Sequence, residues 1–403
     1  MKVRVLHITN SVSPQSGGVA EAIRLITNGL VEDSGIECVE SEILTFDNEL
    51  YPETTEKFIS KISNIGTDIR IWGFSCKLNS WFDENISRFN IIVIHGIWLY
   101  HSYGAFKYWI KYLRDTSNVK LFVMPHGMLD PWFQTEPKRK YKAIRNEIYW
   151  RFIENNVINK SDGILFTCER EKELAKLTFK NYNPTKEYVL GLGVKKAAFN
   201  ILSKEELFKS LSIDFNGKYF LFLGRIDFKK GVDILIKAYN KFLTDQSLLD
   251  VFPKLIIAGP GLDTPYGKEV LNIVASNDIL KANVFFTGML SGDLKWNIIQ
   301  HSEAFVLSSY QENFGIAVVE ALSCGVPVII SNQVNIYTEI LTGNAGLVTE
   351  NSIEKISESL QTLSSKGETD LMNYKSNALK CFNKYYDVSV VSKAYKNFFL
   401  DLY

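Results

Sequence analysis

The amino-acid sequence predicts an α/β protein made of two doubly wound domains, each built around a parallel β-sheet. Short apolar runs rich in β-branched residues alternate with longer helical patterns along the whole chain, and repeated β-α units build doubly wound sheets. Most of these runs are almost continuously hydrophobic, which is typical of strands buried on both faces of a parallel sheet. The chain has 403 residues, a length that favours two or more domains over a single core.

The predicted strands form two groups, one in each half of the chain. In the first half they are Val3–Ile8, Ile91–Ile94, Leu121–Met124, Ile164–Thr167 and Tyr188–Leu190. In the second half they are Tyr219–Leu223, Leu255–Ile257, Val284–Phe286, Ala304–Leu307, Pro327–Ile330 and Gly346–Val348. The helical patterns between them include Val19–Leu30, Ala143–Asn159 and Val232–Phe242.

The domain boundary is predicted within Lys195–Asn216, where one pattern ends and a new strand follows. We therefore expect Rossmann-like domains at residues 1–197 and 198–385 that face each other across a cleft. A C-terminal helix at about residues 386–403 is expected to join the first domain. Ligands of parallel sheets bind at the carboxyl ends of the strands, so the residues after each strand are the candidates for a site.

Composition and charge argue against several classes of protein. The formal net charge is +0, so no overall basic field indicates a nucleic-acid partner. The five cysteines are scattered and form no CxxC pair, which argues against a disulfide framework and a zinc site and is typical of a reducing compartment. We recognise neither a signal peptide nor an apolar run able to span a bilayer. We expect a cytoplasmic protein with no bound metal and no cofactor.

The most informative stretch follows the predicted strand Ala304–Leu307 and changes from a loop into a helix. It contains Glu312, then Asn313-Phe314-Gly315-Ile316, then Glu320. Free backbone amides near Phe314–Ala317 would bind an anion, and the two carboxylates would accept hydrogen bonds from hydroxyl groups. A diphosphate with a hydroxyl-rich group at each end fits this pattern. Two isolated carboxylates at this spacing would more often lie on a helix surface, but the surrounding residues favour a site.

A second loop, Leu223–Gly231, follows another predicted strand and opens a helix. Its Arg225 and Lys230 would both reach a pair of phosphates and replace a metal ion. The alternative is a polar loop with solvated lysines, an interpretation that is strong for Lys229. The loop Thr287–Leu290 also follows a strand and has the composition of an ordinary turn.

Three positions in the first half also follow predicted strands. Gly17 and Gly18 open a helix and suit a close backbone approach to phosphate or acceptor. His126, between Pro125 and Gly127, would face the cleft. His95 and Trp98 end the neighbouring strand and are expected to line the acceptor side. The remaining histidines have no motif around them and are expected to be structural: His7, His101 and His301.

Two regions combine aromatic side chains with lysine and arginine, residues 105–114 and residues 132–152. Such a mixture is found at membrane interfaces and around anionic acceptors. It is equally typical of a solvated helix whose apolar side lies in the core. The sequence leaves both interpretations open.

The residues Glu312-Asn313-Phe314-Gly315, Glu320-Ala321 and Gly325-Val326-Pro327-Val328 fit the pattern E-x-F-G-x4-E-A-x3-G-x-P-V without a gap. This region resembles the family-4 retaining glycosyltransferases, which have the GT-B fold. The string around His126 resembles bacterial exopolysaccharide-assembly members of that family. The likeness covers the second half and, more weakly, the first, where Leu190–Val194 departs from the Pro-Asn-Gly-Val of many members.

The resemblance implies a role for each candidate residue. Arg225 and Lys230 would bind the donor diphosphate, while Glu312 orients the transferred sugar and His126 contacts it near the reacting centre. The remaining donor-binding positions would be Gly17 and Gly18 at the leaving phosphate, Asn313, Phe314, Gly315 and Ile316 around the sugar and phosphates, Glu320 at the ribose, and Met289 and Leu290 at the base.

The implied reaction is a front-face displacement that retains anomeric configuration and needs no metal. The donor would be a nucleotide-diphosphate hexose, first UDP-glucose and second a GDP sugar. The acceptor would be an oligosaccharide or a lipid-linked sugar in polysaccharide biosynthesis, on the inner face of the membrane. Three alternatives remain open from the residues: a nucleotide-sugar epimerase, a phosphorylase of the same fold, and a non-catalytic scaffold that binds a sugar nucleotide.

Overall fold

The computed structural model describes residues 2–13, 16–32, 38–50, 52–69, 71–196, 198–245 and 252–403. The chain divides into two compact units, one of Met1–Gly193 with Val388–Tyr403 and one of Val194–Asp387. We call them unit 1 and unit 2. The division falls at 193/194 and 387/388, whereas the sequence placed the boundaries at 197/198 and 385/386; Ala197 lies outside the described residues.

Unit 1 is built on a parallel sheet of seven strands in the order β3-β2-β1-β4-β5-β6-β7. Its strands are β1 Lys2–Thr9, β2 Cys38–Thr45, β3 Lys61–Asn64, β4 Ile91–His95, β5 Lys120–Met124, β6 Gly163–Phe166 and β7 Glu187–Val189. The inner strands β4 and β6 are buried at every position, as their continuous hydrophobicity predicts. The strand order reverses between β1 and β4, which makes the carboxyl ends of these strands a topological switch point.

The sequence did not predict β2 and β3, because charged and polar residues interrupt their hydrophobic pattern. The glutamates of β2 are paired at the surface of the sheet: Glu40 with Lys2 and Arg4, and Glu42 with Arg88. Strand β3 lies at the sheet edge, where two of its four residues are exposed. Both strands therefore lack the signal that marks a strand covered on both faces.

The helices described in the first part of unit 1 lie between these strands. They are α1 Gly18–Glu32, α2 Pro52–Thr55, α3 Lys77–Asn85, α4 Tyr100–Tyr112, α5 Trp132–Thr135, α6 Lys140–Tyr149, α7 Asn155–Lys160 and α8 Glu169–Thr178.

A π-helical turn, Trp150–Glu154, separates α6 from α7, where the sequence predicted a single helix over Ala143–Asn159. Four buried residues of this stretch recur every four positions, at Asn146, Trp150, Glu154 and Ile158, and Val157 beside the last of them is also buried. In a regular α-helix four residues overshoot a full turn by about 40°. The wider π turn compensates for this drift and keeps the four side chains on the buried side.

Unit 2 has a parallel sheet of six strands in the order β10-β9-β8-β11-β12-β13. The strands are β8 Tyr219–Leu223, β9 Lys254–Ala258, β10 Val284–Gly288, β11 Ala304–Leu307, β12 Val328–Ser331 and β13 Gly346–Thr349. The helices described are α9 Lys204–Ser210, α10 Val232–Asp245, α11 Pro265–Ala275, α12 Asp278–Asn283, α13 Gly292–Gln300, α14 Ile316–Ser323, α15 Tyr337–Thr342, α16 Ile353–Ser364 and α17 Glu368–Tyr385. The predicted parallel, doubly wound sheets are confirmed, and the order in unit 2 reverses between β8 and β11.

The last helix, α18 Val388–Leu400, packs on unit 1. Phe399 is fully buried, and the Tyr395 hydroxyl donates to the carbonyl oxygen of Gly191 at 3.1 Å. The Phe398 ring centroid lies 4.7 Å from that of Tyr188 and 5.3 Å from that of Phe122. These contacts place α18 against the strand-β5 and strand-β7 side of the first sheet. Among the described residues, no helix is long and apolar enough to cross a membrane.

Candidate active site

Two loops meet at the switch point of unit 2, one after β8 and one after β11. The Ser308 hydroxyl donates to the Gly231 carbonyl oxygen at 2.8 Å, and the Tyr310 amide donates to the Lys229 carbonyl oxygen at 2.8 Å. A β-carbon at Gly231, whose φ is +64°, would come within 2.1 Å of the Ser308 carbonyl oxygen. Only glycine allows the two loops to approach this closely.

The close approach brings Lys230 of the first loop onto Glu312 of the second, where the ammonium group bonds to the carboxylate. Both side chains are largely buried, with 18% and 15% of their surfaces exposed. Burial raises the pKa of the Glu312 carboxyl. The charges of Lys230 and Lys229, the hydrogen bond from Lys230 and the charge of Arg225 outweigh burial and lower this pKa below its ordinary value of 4.5. Glu312 is therefore an anion at neutral pH.

Backbone bonds fix the position of Glu312. Its amide donates to the carbonyl oxygen of Gln333 at 2.9 Å, and its own carbonyl oxygen accepts from the amide of Asn335 at 2.9 Å. Glu312 thus forms a bridge to the loop after β12. A carboxylate held by backbone on both sides is preorganised, and it needs no large rearrangement to meet a ligand.

Helix α14 begins at Ile316, four residues after Glu312. Gly315 is its N-cap in the left-handed conformation, with φ +77°, and no side chain caps this end of the helix. The amides of a first helical turn have no partners within the helix and carry a partial positive charge. Asn313, Phe314, Gly315 and Ile316 therefore lie where the sequence placed an anion site, at the carboxyl end of β11 and beside the Lys230–Glu312 pair.

Glu320 lies inside α14 and is 6% exposed. Its Oε1 is 2.5 Å from Nζ of Lys295, a residue of α13. The loop that leads into α13 carries Met289, whose side chain is 76% exposed, and Leu290. The predicted ribose residue is therefore paired with Lys295, on the helix that follows the Met289–Leu290 loop, and the sequence did not single out this lysine.

Arg225 has an exposed side chain at the carboxyl end of β8. It is close enough to Glu312 for its charge to lower the pKa of that carboxyl. Three predicted residues from two loops, Arg225, Lys230 and Glu312, thus form one electrostatic cluster. An exposed guanidinium is free to rotate toward a ligand and can bind two phosphate oxygens at once.

In unit 1, His126 and His95 lie together after neighbouring strands. Nε2 of His126 is 2.9 Å from Nδ1 of His95, whose Nε2 is 2.8 Å from Nδ1 of His7. His95 is 1% exposed. Of these two histidines, only the partly exposed His126 is accessible to a ligand. Burial lowers the pKa of His7 and of His126 to about 3. Burial and the neighbouring imidazoles lower the pKa of His95 well below its ordinary value.

The other predicted positions of unit 1 are two glycines at the start of a helix and a tryptophan after β4. Gly17, with φ +63°, precedes α1 and Gly18 is its first residue; no described atom lies within 4 Å of the place where a β-carbon would stand at either position. Trp98 has φ +79° and its amide donates to Oε1 of Glu154 at 2.9 Å. Burial raises the pKa of Glu154 to about 7, although the hydrogen bonds from Trp98 and Ser102 lower it.

The sequence predicted a structural role for His7 and did not identify Glu154 or Lys295 as candidates. A histidine inside a hydrophobic strand was the available signal for His7, since a buried imidazole needs a polar partner. Glu154 and Lys295 gave no local signal, because their partners, Trp98 and Glu320, are 56 and 25 residues away.

Comparisons with known proteins relate unit 2, which carries the cluster of Arg225, Lys230 and Glu312, to a family of enzymes. Residues 203–380, within unit 2, match the model of the family Glycosyl transferases group 1. An uncharacterized glycosyltransferase of Methanocaldococcus jannaschii is 31% identical over 144 residues, 35% of this chain and 35% of that protein. The D-inositol 3-phosphate glycosyltransferase of Acidothermus cellulolyticus is 26% identical over 168 residues, 41% of this chain and 38% of that enzyme. The chain thus spans less than two fifths of either relative.

The crystal structure of HepE of Anabaena in complex with UDP and glucose superposes with a TM-score of 0.75 and 15% identity, covering 99% of this chain and 100% of that one. Residues 203–380 of unit 2 are therefore similar to the Glycosyl transferases group 1 family. The two Rossmann-like units have the fold of the GT-B glycosyltransferases, as the sequence predicted.

The lowered pKa of Glu312 predicts a pH-dependent contribution to the stability of unit 2. Because the pKa is lower in the folded chain than in the unfolded chain, this stabilisation is present above pH 4.5 and is lost as the pH falls through the lowered pKa. The Glu312→Gln variant should unfold at a lower temperature than the wild type at pH 7, and this difference should narrow below pH 4.5. Thermal unfolding from pH 7 to pH 3 measures it.

Glu269→Gln is the matched control, since Glu269 is an exposed glutamate on α11 of the same unit. We expect the free energy of unfolding of this variant to stay within about 0.5 kcal/mol of the wild-type value throughout the pH range. A Glu312→Gln difference that stays constant down to pH 3 would contradict the lowered pKa.

Proposed function

We propose that this chain is a retaining, metal-independent glycosyltransferase that moves a hexose from a nucleotide-diphosphate sugar to an oligosaccharide or lipid-linked acceptor. The observation that supports it best is the buried Lys230–Glu312 pair beside Arg225 and the uncapped start of α14. This cluster holds cations and free amides on one side for phosphates, and a fixed carboxylate on the other for sugar hydroxyls.

The ion pair gives the donor a specific entry step. A diphosphate brings negative charge to the same ammonium group that Glu312 occupies in the free chain, so the phosphates compete with Glu312 for Lys230. As Lys230 turns to the diphosphate, Glu312 gains lone pairs that accept hydrogen bonds from sugar hydroxyls. Because both side chains are largely buried, each needs a new polar partner when the ion pair opens. The diphosphate is that partner for Lys230, and the sugar hydroxyls are that partner for Glu312.

The reaction breaks the bond between the anomeric carbon and the diphosphate oxygen, and the acceptor oxygen forms its bond on the same face. The proton of the acceptor hydroxyl passes to the departing phosphate oxygen. Lys230 and Arg225 stabilise the charge that grows on the diphosphate, which is the role a divalent metal has in other enzymes. His126 contacts the transferred sugar in this scheme.

UDP-glucose is the donor that we propose, for polysaccharide biosynthesis. The support is the resemblance of the sequence motifs and the fold shared with HepE, whose structure holds UDP and glucose. Gly17 and Gly18 would meet the leaving phosphate and the acceptor, with Met289 and Leu290 at the base and Glu320 at the ribose. Lys295 must share or release Glu320 when a ribose binds there.

A surface on α6 and the π turn suits a membrane that carries the acceptor. Four apolar side chains at helical spacing point to solvent, Tyr141, Ile144, Ile148 and Phe152, with 90%, 55%, 56% and 70% of their surfaces exposed. We call them the α6 stripe. The basic side chains beside it are Lys138, Lys140, Lys142, Arg145 and Arg151. An apolar stripe flanked by cations binds the interface of an anionic membrane.

The other region proposed for membrane contact, residues 105–114, has three aromatic side chains inside the protein and one, Tyr112, that is 48% exposed. Phe106, Tyr108 and Trp109 are 5%, 7% and 2% exposed and belong to the core of unit 1. These three rings cover the sheet instead of facing solvent, and membrane contact by residues 105–114 stays a prediction. The α6 stripe is the surface on which the membrane proposal rests.

Turnover of UDP-glucose tests the proposed reaction. We expect the wild type to hydrolyse UDP-glucose slowly without acceptor and to release α-glucose first, which proton NMR detects as retention. Glu312→Gln should reduce turnover by about 100-fold or more, since a preorganised polar contact to the reacting sugar is lost. Glu269→Gln should leave the rate unchanged.

Each alternative function gives a different result in this assay. Release of an altered nucleotide sugar without acceptor would indicate an epimerase, and dependence on inorganic phosphate would indicate a phosphorylase. Nucleotide binding without any turnover would indicate a scaffold. A Glu312→Gln variant as active as the wild type would remove Glu312 from the mechanism.

Vesicle sedimentation tests the α6 stripe. The wild type should bind vesicles of phosphatidylserine and phosphatidylcholine more tightly than vesicles of phosphatidylcholine alone, and less tightly at high salt. Replacing Ile148 and Phe152 together with serine should weaken binding at least about tenfold, because burial of each side chain stabilises the bound state. Leu341→Ser is the control, since Leu341 is 54% exposed on unit 2. Equal binding by both variants would contradict the proposal.

A further inference from the structure

A row of three imidazoles runs from the interior of unit 1 to its strand ends. His7 is on β1, His95 is the last residue of β4 and His126 follows β5, and these three strands are neighbours in the sheet. The ring nitrogens are joined by contacts of 2.8 Å and 2.9 Å. At the inner end, Nε2 of His7 is 3.3 Å from the hydroxyl oxygen of Ser41 on β2.

Hydrogen bonding within the row is directional. Burial lowers the pKa of all three histidines, so each ring is neutral at pH 7 and carries one proton on one nitrogen. Each contact needs an N–H on one ring and a lone pair on the next. Once one proton is placed, the other two are fixed, and only two orders are possible.

The two orders give His126 opposite properties. In the outward order His7 donates to His95 and His95 donates to His126, so the last proton is on Nδ1 of His126. In the inward order His126 donates to His95, His95 to His7 and His7 to Ser41, so Nδ1 of His126 keeps a lone pair. The outer nitrogen is a donor in the first order and an acceptor in the second.

Ser41 favours the outward order over the inward order. Its side chain is 6% exposed, and its hydroxyl has no hydrogen-bond partner other than His7 among the described residues. In the inward order the hydroxyl accepts from His7 and its own proton has no protein acceptor in the described part of the chain, so only water in the surface cavity that Ser41 lines could accept it. In the outward order that proton goes to Nε2 of His7. The partly exposed end at His126 does not discriminate, because water can donate or accept there.

We propose that His7 and His95 are positioning residues that hold the proton of His126 on Nδ1, so that His126 offers a hydrogen-bond donor to an oxygen atom of the ligand. If the proposed function holds, that oxygen belongs to the transferred sugar. The donor group stays neutral, so it orients the hydroxyl without transferring a proton to it.

The backbone of His126 supports the same arrangement. His126 has φ +52°, a left-handed conformation that costs energy in a residue with a side chain. The next amide, that of Gly127, donates to Oε1 of the buried Glu171 at 2.5 Å, and Oε2 of Glu171 accepts from the Thr167 amide and hydroxyl. One bond to the backbone and one to the ring therefore fix the direction of Nδ1.

Nitrogen NMR of the full chain with ¹⁵N-labelled histidine tests the proposal directly, because the chain has five histidines and protonated and unprotonated ring nitrogens have different shifts. We expect the proton of His126 on Nδ1 in the wild type. Ser41→Ala, three groups away from that nitrogen, should produce a mixture of the two tautomers at His126. His7→Phe should also produce a mixture of the two tautomers at His126, with a larger fraction of the Nε2 tautomer than in Ser41→Ala.

The control is His301→Gln, which removes a histidine of unit 2 whose Nε2 is 2.8 Å from the Leu202 carbonyl oxygen. It should leave the His126 signal unchanged. A His126 proton on Nε2 in the wild type, or a His126 signal that ignores Ser41→Ala, would overturn the proposal. Ser41→Ala removes one oxygen atom only, so it reports the effect even if His7→Phe fails to fold.

Turnover separates this proposal from the proposed function. Ser41→Ala should lower kcat/KM for UDP-glucose several-fold, on the order of the loss of one neutral hydrogen bond, while His301→Gln leaves it unchanged. An inactive wild type with the Nδ1 tautomer would contradict the transferase and leave the imidazole order standing. An active wild type with the Nε2 tautomer would contradict the imidazole order alone.

Discussion

The carboxyl ends of the two parallel sheets are the constraint on which both candidate sites depend. Strands covered on both faces have little room for polar side chains, so the groups that can do chemistry are displaced to the loops where the strands end. In unit 2 the loops after β8 and β11 meet at the reversal of strand order and form the Lys230–Glu312 pair. In unit 1 the reversal lies between β1 and β4, and the imidazole row crosses it from His7 to His95.

In each described cluster a group that could bind a ligand has a protein partner in the free chain. Glu312 has Lys230, Glu320 has Lys295 and His126 has His95. These partners stabilise buried polar groups that would otherwise be strongly unfavourable. They also make binding an exchange of partners, so a ligand gains affinity only if it matches both members of a pair. A ligand with a diphosphate and a hydroxyl-rich sugar offers opposite chemistry at its two parts, as the Lys230–Glu312 pair requires.

The sequence predicted the features that depend on neighbouring residues and missed those that depend on distant ones. The apolar runs located all six strands of unit 2, and a gapless motif located Glu312, Gly315 and Glu320 because one loop and one short helix hold them all. Strands β2 and β3 were not predicted, because polar residues interrupt their hydrophobic pattern. The π turn at Trp150–Glu154 depends on side chains that must face the core. The contact of Lys295 with Glu320 joins two helices and has no local signature.

We propose that the cluster of Arg225, Lys230 and Glu312 binds the diphosphate of a nucleotide sugar without a metal ion. Calorimetric titration of a panel of nucleotide-diphosphate sugars, in the presence of EDTA, tests it most directly. We expect micromolar binding of one nucleotide sugar, UDP-glucose first, that persists in EDTA and is lost in Arg225→Ala and in Lys230→Ala. Binding that disappears in EDTA, or the absence of binding by well-folded protein to every sugar nucleotide of the panel, would contradict it.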